Sequence, residues 1–398
     1  MTTQIVQRRQ LAVLAGGGVV SAASWLLMAP WNVHGWFIGA PLGRDFVNFW
    51  LAPRLVMAGQ GAMLIDLPAY AETIRATFGL ARDPGLLFVY PPHAMLLFAP
   101  FSMLPFLPAV LLWTAFNLAC LALATRLLLR GAPARGILLA VCLSPPAVAM
   151  MMYGHFGGLL ALATTVAVLE APRRPLLAGL CMAILSMKPQ FACAIGLMLF
   201  CAGQWRCLVF GVGFSLVLAV VSAGLFGIEV WQRFVMITMP MQSSFVTGFD
   251  AKMIETAVTA YFAARYSGVA APLAWAIQGV VAAVSLACGV AALRRGAGEP
   301  GCLLVVVLGA LVMQPYVSHY DLAIAAPALT LVVLGREPGA APVTVAAWLL
   351  TPLARLLIVF DMPILGVLVP GALIAQGFRL LGPKEAEAPR QATLDAAA

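Results

Sequence analysis

The sequence predicts an all-α, polytopic membrane protein with about ten to twelve crossings. Composition is the first reason. Of the 398 residues, 63% are hydrophobic and only 10% are charged, with a mean hydropathy of +0.98, against roughly a quarter charged in ordinary soluble domains. A water-soluble core of that kind would leave too few charges to cover its outside, whereas lipid accepts the excess apolar surface. The second reason is the recurrence of apolar runs separated by short loops. The third is the net charge of +8, which comes mostly from arginines in those loops and suits the positive-inside rule better than nucleic-acid binding.

The first run, QRRQLAVLAGGGVVSAASWLLMAP, has the outline of a signal peptide. Its roughly 20 apolar residues exceed a normal signal core and more runs follow, so it reads as an uncleaved first helix over 11–30. Further spans are expected at 91–104, 107–129, 136–152, 157–170, 175–202, 207–227, 270–293, 300–317, 320–335, 342–360 and 363–381. Loops with Arg8/Arg9, Arg294/Arg295, Arg336 and Arg379/Lys384 then share one side, the expected cytoplasmic side of a plasma (inner) membrane. Arg126/Arg130/Arg135, Arg173/Arg174 and Arg206 cannot all join them if every run crosses. Broken or re-entrant segments restore the count, and the candidates are 91–104, bounded by Pro-Pro and Leu-Pro, and 175–202, interrupted at Lys188-Pro189. Proline removes a backbone donor, which is tolerated where the opened helix lines a cavity.

One integral membrane domain is expected over 1–383, with a disordered cytoplasmic tail at 384–398. Loops 31–90 and 228–268 are expected on the extracytoplasmic side. The first holds Asp45, Asp66, Glu72 and Asp83, and its YAETIRATFGL stretch has near-helical apolar spacing, as a short surface helix would. The second holds Trp231, Arg233, Asp250, Lys252, Glu255 and Arg265. The eight cysteines lie scattered in apolar runs without a CxxC pair and read as small hydrophobes, so no metal is expected.

Chemistry-bearing residues are few, which makes them legible. Lys188 stands in LLAGLCMAILSMKPQFACAIGLMLF with no other charge between Arg174 and Arg206. A lone ammonium at membrane depth costs several kcal/mol unless it meets an anion, carbonyls or water, so it points to a polar cavity. In GRDFVNFW, Asp45 beside Arg44 is a candidate general base toward a hydroxyl; the alternative is a solvated loop acid paired with Arg44. Tyr90 and His93 flank the Pro-Pro of FVYPPHAMLLFAP, where the prolines themselves start a helix. His155 follows glycine in MMYGHFGGLLALA, where small residues permit close approach of a backbone or substrate; a helix cap is the plain alternative. In MQPYVSHYDLAIAAPAL, six polar residues crowd eight positions, among them His319, Tyr320 and Asp321. That is more than a turn requires, and it makes His319 a second candidate for the catalytic group. There is no Walker A, no HExxH and no DxD, so a nucleotide donor is disfavoured.

In order and spacing, GRDFVNFW, VYPPHAMLLFAPFSMLP, LLWTAFNLA, YGHFGGLLAL, AGLCMAILSMKPQ and SHYDLAIAAPAL resemble glycosyltransferase family 87 over roughly residues 40 to 335. The family often has Gly-Gln where this chain has Gly154-His155. The resemblance implies a GT-C-like bundle and a mannosyltransferase-like reaction. A sugar would pass, with inversion, from a polyprenyl-phosphate donor to a lipid or glycan acceptor on the outer face, with no cofactor beyond the lipid-linked sugar. It also implies that Asp45 matches the family's loop acid, Lys188 its Lys-Pro lysine and His319 its turn histidine. Arg44, Tyr90, His93, His155, Tyr320 and Asp321 are the expected donor or substrate contacts. A lipid phosphate would bring an anion to Lys188 and be stabilised by it as it leaves. The competing class is a transporter or flippase with Lys188 and His319 as a gate; the long acidic first loop and the lack of repeated halves favour the transferase.

Overall fold

A computed structural model describes residues 15–24, 43–80, 85–131, 133–248, 257–296, 298–335, 339–354, 357 and 362–382. Arg8/Arg9, Asp83, Asp250, Lys252, Glu255, Arg336, Lys384 and the expected tail at 384–398 lie outside the described residues.

After helical residues 15–24 come α1 (Phe46–Met57), α2 (Leu67–Phe78), α3 (Ala94–Ser102), α4 (Phe106–Leu128), α5 (Arg135–Cys142), α6 (Pro145–Tyr153) and α7 (Gly157–Glu170). The middle of the chain forms α8 (Pro175–Leu185), α9 (Pro189–Cys201), α10 (Trp205–Phe226), α11 (Ile228–Arg233), α12 (Met239–Thr247) and α13 (Ala260–Tyr266). The last third gives α14 (Ala271–Gly296), α15 (Pro300–Val312), α16 (Ala326–Val333), α17 (Pro342–Leu350) and α18 (Leu365–Leu381). Among the described residues the only strand-like pairing is a bridge between Ala257 and Ser318. The chain is an all-α polytopic membrane protein. Several helices open on proline, whose missing N–H would be unpaired there in any case.

Those same prolines cut the apolar runs. Among the described residues, α4, α10 and α14, at 23, 22 and 26 residues, are long and apolar enough to cross a membrane alone; α5 and α6, bent by 52° at their break, make a fourth span if taken together. The expected spans at 300–317 and 320–335 contract to α15 and to a 3₁₀ turn, His319–Ala325, leading into α16. The expected loop at 228–268 is instead helical over most of its described length, with a π-helical step at Phe234–Thr238 between α11 and α12. YAETIRATFGL does form a helix, α2, capped by the Asp66 side chain and closed by Gly79.

The interruption at Lys188-Pro189 resolves the arginine count. Gly179 of α8 packs against Cys207, Phe210 and Gly211 of α10, and Ser186 lies 3.3 Å from Ser215, Oγ to Oγ. Contacts advance together along both helices, so α8 and α10 run parallel, and α9 between them must run back. Residues 175–201 are thus a helical hairpin that enters and leaves at one end, and Arg173, Arg174 and Arg206 share that end. Arg294 joins them by donating to the Cys201 carbonyl at 2.8 Å, and Arg130 packs against Gly298 in the loop that follows. α15, buried along its whole length, carries the chain away from this basic end toward the hairpin tip, where the His319 turn meets Lys188.

Candidate functional site

Two glycines seat the first acid. α6 ends at Gly154 in the left-handed region, φ 65°, and a Cβ there would fall 2.8 Å from both the Gly43 Cα and the Phe46 Cβ. The segment ahead of α1 therefore presses onto the end of α6, as an element built on small residues allows. The Asp45 N–H donates to the Tyr153 carbonyl at 2.7 Å, and Trp113 Nε1 donates to the Gly154 carbonyl at 2.9 Å. Asp45 is only 7% exposed. Arg44 Nη1 lies 3.2 Å from its Oδ1, and the nearby Tyr320 side chain favours the charged form of the same carboxylate. Burial pushes the Asp45 carboxyl above the ordinary range, and the Arg44 guanidinium only partly offsets this.

Lys188 is not alone. At the tip of the hairpin its Nζ lies 2.5 Å from Asp321 Oδ1, with the two residues 8% and 1% exposed. The unpaired ammonium inferred from its own stretch of sequence is therefore corrected by a partner on the His319 turn. Asp321 is held there because it closes a capping box: the Ser318 N–H donates to its Oδ2 at 3.1 Å, leaving Oδ1 for the lysine. His155 Nδ1 stands 3.7 Å from that Oδ1, and its Nε2 is 3.1 Å from the Tyr90 hydroxyl. The His155 ring stacks on Phe156 and lies 4.7 Å from the Tyr320 ring. His319 is buried, edge-on to Tyr153 at 4.9 Å and beside Tyr320.

Arg44, Asp45, Tyr90, His155, Lys188, His319, Tyr320 and Asp321 are thus brought into one connected cluster. His93 sits to one side, 3.0 Å from the Ser186 hydroxyl and stacked on Trp231. A cavity of about 930 Å³ runs along the cluster. Tyr90, His93, Lys188 and Tyr320 line it, and most of the remaining wall is apolar and comes from α8, α9, α10 and α12. Asp45, His155, His319 and Asp321 are not among its lining residues and meet it through Tyr320 and Lys188. Among the described residues no group of three or more His, Cys, Asp or Glu is placed to hold a metal.

Trp231 and Ser186 are among the cavity residues that the sequence did not single out as site residues. Trp231 donates to Ser222 at 2.9 Å while stacking on His93, yet nothing in IEVWQRF separates it from an ordinary interfacial tryptophan. Ser186 lies two residues before Lys188, and its nearness to that lysine was the available signal.

No curated protein and no solved structure matches the chain. The family model of glycosyltransferase family 87 matches residues 88–315, more than half of the chain. That stretch includes Tyr90, His93, His155 and Lys188, while Asp45 and the His319 turn, outside it, are tied to it by the Tyr320 and Asp321 contacts above. This chain belongs to glycosyltransferase family 87 and is a membrane glycosyltransferase.

Proposed function

We propose that the enzyme transfers a sugar, mannose, from a polyprenyl-phosphate donor to an acceptor hydroxyl on the extracytoplasmic face, with inversion at the anomeric carbon. The observation that carries the reading is the buried Lys188 at the inner end of a predominantly apolar cavity. An apolar chamber that ends at the Lys188 ammonium, for which a phosphate would compete with Asp321, suits a lipid with an anionic head. A GT-C-like bundle would supply this arrangement within one domain.

In this reading the acceptor O–H gives its proton to the Asp45 carboxylate as its oxygen bonds to the anomeric carbon. The bond from that carbon to the phosphate oxygen breaks, and polyprenyl phosphate leaves with the electron pair. Lys188 stabilises the developing charge, and such preorganised stabilisation is commonly the largest single contribution to catalysis. Arg44 holds Asp45, Tyr90 and Tyr320 shape the wall near the sugar, and His319 supports Tyr320. His93 lies beside the phosphate; His155 and Asp321 act from behind.

Proton NMR of the product formed from a donor of known anomeric configuration tests this. A single product of opposite configuration is expected, with the rate lowered about 10²–10⁴-fold in Asp45→Asn. A product of retained configuration would rule out the single displacement.

A further inference from the structure

His155 is placed between two partners and engages only one of them fully. In the turn from α6 to α7 it is 1% exposed, its ring stacked on Phe156 at 4.4 Å and lying 4.7 Å from the Tyr320 ring. Its Nε2 is 3.1 Å from the Tyr90 hydroxyl. Its Nδ1 has no hydrogen-bond partner, yet stands 3.7 Å from Asp321 Oδ1, the oxygen that Lys188 already holds. The charged and titratable groups around the ring are Lys188 from the hairpin tip, Asp321 and Tyr320 from the His319 turn, Tyr90 ahead of α3 and, past Tyr320, Asp45 with Arg44. Tyr153 and His319 both lie against the Tyr320 ring. Four of these groups form two neutral pairs, Arg44 with Asp45 and Lys188 with Asp321.

An anionic phosphate upsets that balance. A phosphodiester brings one negative charge into the cavity, and among the described residues that line it Lys188 is the charged one. As the ammonium turns to the phosphate, the Asp321 carboxylate, 1% exposed, loses its cation, and a buried carboxylate left without one is strongly disfavoured. We propose that His155 replaces the lysine: on donor binding its imidazole takes up one proton from solvent, by way of the Tyr90 hydroxyl that lines the cavity, and pairs with Asp321. This rests on the polyprenyl-phosphate reading above and makes His155 a positioning residue, one that releases Lys188 to the phosphate. An imidazolium donates at both nitrogens, and both acceptors already lie beside it: Asp321 Oδ1 for Nδ1–H and the Tyr90 oxygen for Nε2–H. Closing the Nδ1 gap to hydrogen-bond length takes about 0.5 Å. While Lys188 occupies the same carboxylate oxygen it opposes a second positive charge there, so proton uptake accompanies the lysine's departure. His93 also has an open Nδ1 and lines the cavity, but the carboxylate that loses its cation faces His155.

The test is calorimetry of polyprenyl-phosphate mannose binding to the purified enzyme in micelles, with no acceptor present so that turnover does not enter. Repeating it in buffers of different ionisation enthalpy counts the protons, and the wild type should take up close to one. Because the bound state holds the proton more tightly, affinity is highest at low pH, and Kd should rise by up to about tenfold per unit between about pH 5 and 8. His155→Gln keeps an amide for Tyr90 in place of Nε2 but cannot take the charge. Its Kd should be independent of pH and, at the low end, about tenfold or more above that of the wild type. Asp45→Asn and His93→Gln should keep the wild-type slope. No proton uptake by the wild type across this range, a reading that needs no variant to fold, overturns the proposal. So does a slope that survives in His155→Gln, even with affinity uniformly reduced, or one that disappears in His93→Gln. Failure of the wild type to bind this donor at any pH would instead sink the polyprenyl-phosphate reading itself.

Discussion

Lys188→Met separates a paired lysine from an unpaired one. Had the ammonium been buried without an anion, methionine would remove a costly charge and leave the protein as stable or more so. The 2.5 Å contact with Asp321 reverses that expectation, because the carboxylate left behind is 1% exposed and keeps only the Ser318 N–H at full hydrogen-bond range. Breaking a buried ion pair on one side typically costs about 3–5 kcal/mol, most of it from the charge left uncompensated. Reversible unfolding of the purified protein in mixed micelles measures the loss. The double variant Lys188→Met/Asp321→Asn, which leaves no unpaired charge, should recover more than half of it, a non-additivity expected of residues in direct contact. Wild-type stability in Lys188→Met would refute the ion pair, and a double variant no better than the single would place its cost elsewhere.

Further expectations concern the acid and the glycine that seats it. Asp45 works as a base only when ionised, and its folded value lies above the ordinary one, so kcat/KM should rise with pH through that raised value and be lost below it. The Tyr320 hydroxyl lowers the Asp45 value, so Tyr320→Phe should move the rising limb to higher pH; a pH–rate profile displaced to lower pH would contradict the contact. Gly154→Ala meets both a left-handed φ and the Gly43 backbone, and should cost at least about 1–3 kcal/mol in the same micelle unfolding assay; an unchanged midpoint would show that the approach of the two segments is not required.

The membrane class and most of the cluster were legible in the sequence because both depend on local signals. Excess hydrophobicity marks lipid as solvent, and a charge or histidine stands out wherever neighbours are apolar, as with Lys188, His155 and His319. The break at Lys188-Pro189 was legible too, since proline there removes a donor from a helix that has no water to replace it. Partners were not legible. Nothing near Lys188 names Asp321, because the pairing is made by a hairpin tip meeting a turn far along the chain. Helix ends were not legible either: apolar runs such as 300–317 are continuous in composition, but α15 ends at Val312 and a buried turn follows. The helical character of 228–247 was not legible because its exposed Val235, Met236 and Ile237 are consecutive, in an apolar stretch without a helical period.

The central claim is that sugar arrives on a prenyl phosphate, and its most direct measurement is label transfer by the purified enzyme in liposomes. Donors are offered in parallel as radiolabelled polyprenyl-phosphate mannose and as the corresponding nucleotide sugar, with a membrane extract as acceptor. The account predicts transfer from the lipid-linked donor alone, with stoichiometric release of polyprenyl phosphate and loss of transfer in Asp45→Asn. Transfer from the nucleotide sugar in the absence of any prenyl phosphate would contradict it.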